Sequence, residues 1–136
     1  MATVTRSRRF DADPAAVRAA IEDVEPFTRA AGFDEVARDG DTLSISRGMG
    51  LVRISLTLEL LDDPDAALAY RQREGIFAEM TTRYVVTAVE SGTEVTATTE
   101  FELGAPVVGS ALDATVVSRQ RARELEAQFD YLAETC

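Results

Sequence analysis

The sequence predicts a single α+β domain over residues 1–136. An antiparallel sheet of about six or seven strands lies against one long C-terminal helix, with one or two short helices after the first strand. Three observations carry this. Apolar residues recur at every second position through most of residues 42–103. The period switches to that of a helix after Gly104-Ala105-Pro106 and holds to Ala133. Near the start, Val17, Ile21 and Val24 stand at helical spacing behind a short alternating stretch. A chain of 136 residues is one domain's worth, long enough to bury a core without disulfides or metals.

Each element follows from local chemistry. Thr3 to Phe10 alternates and holds β-branched residues, as a strand does. Asp13-Pro14 opens a helix, with Asp13 placed to cap free amides and Pro14 where a missing N–H costs nothing. Pro26 interrupts that helix, and Phe27 to Ala31 forms a second short one before Gly32. Phe33 to Ala37 reads as a strand, followed by the turn signal Asp39-Gly40. Thr42 to Arg47 alternates and ends at the flexible Gly48-Met49-Gly50. From Val52 to Leu60, Val52, Ile54, Leu56, Leu58 and Leu60 face one way and Arg53, Ser55, Thr57 and Glu59 the other. After the turn Asp62 to Asp65 come strands at Ala67 to Glu74, Phe77 to Val89 and, beyond Ser91-Gly92, Glu94 to Leu103. The last puts Val95, Ala97, Thr99, Phe101 and Leu103 on one side and leaves Glu100 and Glu102 to water. The long helix, Val107 to Ala133, carries a stripe of Leu112, Val116, Ala122, Leu125, Phe129 and Leu132. Arg119, Arg121, Arg123, Glu124 and Glu126 are assigned to its opposite, solvated face.

Composition excludes several functions. There is no histidine, which removes Ser-His-Asp and Cys-His catalysis and most zinc sites, and no metal or other cofactor is expected. The single cysteine is the last residue, Cys136. No apolar run reaches the roughly 20 residues of a membrane span, and Met1 to Arg6 lacks the apolar core of a signal peptide, so a cytoplasmic protein is expected. The net charge of −10 argues against nucleic acid, whose phosphates it repels. All 14 bases are arginine, an acid-rich and lysine-free pattern that resembles proteins of salt-accumulating halophiles. A GC-rich genome accounts for the same pattern. Asp62, Asp63 and Asp65 have the chemistry of a loose cation site, although an acidic turn explains them more simply.

The stretch Phe10-Asp11-Ala12-Asp13-Pro14-Ala15-Ala16-Val17, the hairpin Ser91-Gly92-Thr93-Glu94-Val95-Thr96 and the Gly/Pro break before a terminal helix together resemble the START-related helix-grip superfamily, also called SRPBCC or polyketide cyclase/dehydrase-like. Each motif is weak alone; the three in this order cover the whole chain. One departure is Arg18, where the residue after the helix-start valine is often aromatic in the family. The resemblance implies a curved sheet wrapped around the C-terminal helix, an interior cavity, and a ligand that is a lipid, sterol, quinone or polyketide. Some members catalyse cyclisation or dehydration of what they hold, and the fold does not choose among these activities.

Inward parity then nominates the residues that would meet such a ligand. Val52, Ile54, Leu56 and Phe101 supply apolar wall, and Leu112 and Val116 supply the helix side, beside Val108. Arg47 follows Leu43 and Ile45 in register, Tyr70 and Gln72 follow Leu68, and Thr82 and Tyr84 follow Met80; these are the polar anchors. Arg47 borders a turn, so a solvent-facing position stays open for it. Small inward residues, Ala88, Ala97 and Thr99, are expected to leave an apolar pocket unfilled, with Met49 near its mouth. The leading function is therefore binding or transport of a small hydrophobic molecule in a non-catalytic protein. A cofactor-free cyclase or dehydratase is the first alternative. It needs an acid and a base among Tyr, Arg, Asp or Glu, and no carboxylate has inward parity. The second is a protein-interaction module or homodimer with a collapsed cavity.

Overall fold

A computed structural model describes residues 1–104 and 113–136. β1 (Ala2–Phe10) leads into helices α1 (Pro14–Glu22) and α2 (Val24–Arg29). Six strands follow: β2 (Glu35–Asp39), β3 (Thr42–Met49), β4 (Val52–Leu60), β5 (Leu68–Glu74), β6 (Phe77–Val89) and β7 (Gly92–Leu103). Helix α3 (Ala114–Thr135) comes last. The seven strands form one antiparallel sheet in the order β1-β7-β6-β5-β4-β3-β2. From β2 to β7 each strand pairs with the next by hairpin. Only β1 crosses over to join β7, so α1 and α2 carry the chain from one sheet edge to the other. This is the helix-grip layout, a curved sheet and a long terminal helix.

The strand alternation is realised as burial. Along β4, Ile54, Leu56 and Leu58 are buried while Arg53 and Ser55 are exposed, and along β7, Val95, Ala97, Thr99 and Phe101 are buried while Glu100 and Glu102 are exposed. Of the small residues expected inside, Ala88 is exposed.

Three details differ from expectation. Asp13 stands at the N-cap of α1, but its side chain accepts no capping bond. Pro26 does not break a helix; it sits in the first turn of α2, where its missing N–H has no intrahelical acceptor to lose. The described part of α3 begins at Ala114. Asp113, extended at φ −125°, caps it by accepting a hydrogen bond from the Val116 amide at 2.9 Å. Residues 107–112 of the expected helix, Val108 and Leu112 among them, lie outside the described residues.

Candidate functional site

Between the first half of α3 and the strands β3 to β7 lies a space of about 60 Å³. Its sheet wall is apolar: Ile45 from β3, Ile54 and Leu56 from β4, Met80 from β6 and Phe101 from β7. Phe33, Met49, Ile76 and Phe77 also border it. Phe77 and Phe101 meet edge to face at 5.3 Å. Met49 ends β3 at a two-residue turn whose first residue, Gly50, holds φ +63°, a conformation that favours glycine.

The helix wall is polar and charged. Val117, Gln120, Arg121 and Glu124 line it. Arg121 is buried and every nitrogen of its guanidinium has a partner. Nε donates to Thr99 Oγ1 at 2.9 Å and Nη1 to Glu124 Oε1 at 3.0 Å. Nη2 donates to the hydroxyls of Tyr70 at 2.8 Å and Tyr84 at 3.0 Å. The Tyr84 hydroxyl in turn donates to Gln128 Oε1 at 2.7 Å, and Gln128 Nε2 donates to the Phe27 carbonyl at 3.0 Å. Thr82 shares a 2.8 Å hydroxyl contact with Thr99 behind the same guanidinium. Burial works against the Arg121 cation, but Tyr70, Tyr84 and Glu124 outweigh it and raise its pKa well above the ordinary value. Burial likewise pushes the Tyr84 phenol well up, so it stays a neutral donor.

Arg47 comes at this network from β3. Its Nη1 donates to Glu124 Oε2 at 3.0 Å, so a single carboxylate bridges both guanidiniums. The Arg47 guanidinium also lies 5.6 Å from the Phe33 ring centre. With the Gln120 amide turned so that its oxygen faces Arg47, that oxygen accepts from both terminal nitrogens at 3.0 and 3.1 Å. A Cβ on Gly32, whose φ is +105°, would come within 3.3 Å of the same guanidinium. Arg47 Nε is buried and has no hydrogen-bond partner among the described residues.

Of the nominated residues, Arg47, Ile54, Leu56, Tyr70 and Phe101 border this space. Thr82 and Tyr84 are fully buried behind it, Thr82 against Thr99, Met80 and Arg121 and Tyr84 against Arg121. Val52, at the start of β4, is half-buried and does not border it. Gln72 does not either: its amide donates to the Phe77 carbonyl at 2.8 Å and accepts from the Phe77 amide at 3.1 Å, bracing the β5–β6 turn. Val116 is 37% exposed, and its neighbour Val117 faces the space instead. The assignment of Arg121 and Glu124 to a solvated face is corrected, because both are buried. So is the absence of an inward carboxylate, since Glu124 provides one. At the described start of the helix the inward position is Val117 and not Val116, one helical residue or about 100° away. The spacing Val117-Arg121-Glu124-Gln128, in steps of four, three and four, is the signal that would have found them. In the acidic turn, Asp63 accepts from the Asp65 amide at 3.0 Å and from Arg83 at 2.8 Å, which gives these acids a structural role.

The sequence matches, over residues 1–136, the family described as polyketide cyclase/dehydrase and lipid transport. No curated protein matches it. Among solved structures, one from Thermus thermophilus is similar at 20% identity with a TM-score of 0.79, covering 98% of this chain and 96% of that one. The Zhui aromatase/cyclase from Streptomyces is similar at 18% identity with a TM-score of 0.76, covering 96% and 93%. A START superfamily protein from Mycobacterium smegmatis is similar at 14% identity with a TM-score of 0.73, covering 97% and 94%. These likenesses are ones of fold; the match along the entire sequence goes further, and by it the chain belongs to the polyketide cyclase/dehydrase and lipid transport family.

Proposed function

We propose that this protein binds a small hydrophobic molecule, of lipid, quinone or polyketide-like character, in the space between α3 and the sheet, and holds it without chemical change. The supporting observation is the pairing of an apolar sheet wall with a helix wall whose buried polar groups largely satisfy one another. The space of about 60 Å³ is well under the roughly 150 Å³ that accommodates benzene. Binding therefore requires the rim to yield. Met49, with an unbranched side chain between two glycines, is the residue best able to swing aside. The test is titration with the neutral apolar dye Nile red, followed by displacement with lipids and quinones. Val117→Trp fills the space at a stability cost of about 1–3 kcal/mol and should abolish dye binding. Dye binding unchanged by this substitution would move the site elsewhere, and no binding by the parent would refute the reading.

One observation favours a cyclase reading as second. Tyr70 borders the space, and its hydroxyl accepts a hydrogen bond from the Arg121 cation at 2.8 Å, which orients it to donate its own O–H to a bound carbonyl. Turnover of a poly-ketone substrate that is lost in Tyr70→Phe, with binding retained, would select it over the carrier.

A further inference from the structure

The charges around the space do not cancel. Among the described residues that line it, the ionised groups are Arg47, Arg121 and Glu124, two cations sharing one anion. The phenol of Tyr84 behind them is neutral. Residues 105–112 carry no ionisable side chain, so none of them supplies a second carboxylate. Asp34 and Glu35, beside β3, pair instead with Arg53 at 3.4 and 3.2 Å. A surplus positive charge next to an apolar wall is a local exception in a chain of net charge −10.

The two arginines are not equivalent. Arg121 is held on all three nitrogens by protein partners. Arg47 keeps a buried Nε without a partner among the described residues, and its side chain is 20% exposed against 10% for Arg121. Arg47 pairs with Glu124 and the Gln120 amide oxygen but is the less completely held of the two cations, at the side of the space bordered by Phe33 and Met49. A cation partly withdrawn from water is stabilised most by an anion, and guanidinium matches a planar carboxylate in shape.

We infer that the hydrophobic ligand is an acid, its carboxylate meeting Arg47 at the mouth and its apolar part lying along Ile54, Leu56 and Phe101. This rests on the ligand-binding reading above and adds the class of head group. It predicts that a hydrophobic acid outcompetes a neutral molecule with the same chain.

Displacement of Nile red by decanoate and by 1-decanol, at one ionic strength and neutral pH, tests it. Decanoate should bind about tenfold or more tightly than the alcohol, the factor a charge-assisted contact supplies. Arg47→Met should bring the two affinities to within about twofold by weakening decanoate alone, and Arg47→Lys should retain part of the preference. Equal or tighter binding of decanol by the unaltered protein would overturn the inference and leave the ligand-binding reading intact. If the dye binds and neither compound displaces it, the inference alone falls; if no dye binds, both fall together. Should Arg47→Met fail to fold, the acid-to-alcohol ratio of the unaltered protein decides the matter by itself.

Discussion

Beneath α1 and α2, Phe27, Tyr84, Phe129 and Leu132 fill the interior with no measurable exposure, whereas Val117, Arg121 and Glu124, earlier on the same helix, face Ile54, Leu56 and Phe101 across an unfilled space. Phe27 stands edge-on to Tyr84 at 5.0 Å, and Phe10 to Phe129 at 6.0 Å, so one end of the layer is closed by interlocking rings. At the other end, charged side chains replace those rings, and they can meet each other's needs only by converging on Glu124. One end makes the fold stable, and the other accepts poorer packing in exchange for a chemically distinctive surface. The hydrogen bonds from Arg121 to Tyr84 and from Tyr84 to Gln128 join the two.

Substitutions at each end should therefore fail for different reasons. Arg121→Met leaves Glu124 with Arg47 as its one ion-pair partner and takes from Tyr70, Tyr84 and Thr99 the donor they share; we expect a loss of about 3–5 kcal/mol in urea unfolding. Phe129→Ala opens a cavity in the closed end and should cost a similar amount, about 3–5 kcal/mol. The second-site variant Glu124→Leu separates the two causes. It should cost less in the Arg121→Met background, where it breaks only the pair with Arg47, than in the Phe129→Ala background, where it breaks the pairs with both arginines. Equal behaviour in both backgrounds would break the distinction.

Tyr84→Phe probes the junction. Removing the hydroxyl leaves Gln128 and Arg121 each short of a partner, at a cost of about 1–3 kcal/mol. The pH dependence has a definite sign. Burial raises the Tyr84 pKa above that of the unfolded chain, so its contribution is complete below pH 10.0 and is lost as pH rises above that value, where the unfolded chain ionises first. Unfolding free energy should thus decline less steeply with alkaline pH in Tyr84→Phe than in the parent. The smallest effect is expected on the outer face. Arg71 donates to Glu59 at 2.6 Å, but its side chain is 60% exposed, and Arg71→Ala should cost no more than about 1 kcal/mol.

The contrast between the ends also explains what could be read from the sequence. Strand parity is a rule of two, and it placed Ile54, Leu56, Tyr70, Tyr84 and Phe101 inward without knowledge of the partner element. The closed half of α3 was legible for the same reason, since Leu125, Phe129 and Leu132 are apolar and inward. The pocket half was not. A helical stripe is recognised by its apolar members, and here the inward positions are Arg121, Glu124 and Gln128. The partners of Arg121 on the sheet, Tyr70, Tyr84 and Thr99, lie 51, 37 and 22 residues away in the chain and cannot be paired by local pattern. Gln72 shows the converse: it has the parity of a pocket residue, but a neighbouring turn claims its amide.

The central claim is that the ligand enters the open end of the layer and leaves the closed end undisturbed. Methyl-resolved NMR during titration with decanoate tests it most directly. The account predicts progressive shifts at Met49, Ile54, Met80 and Val117, with Val17, Ile21 and Leu132 unmoved. Shifts concentrated at Val17, Ile21 and Leu132, or in the polar groove beside Leu60 and Leu61, would contradict it.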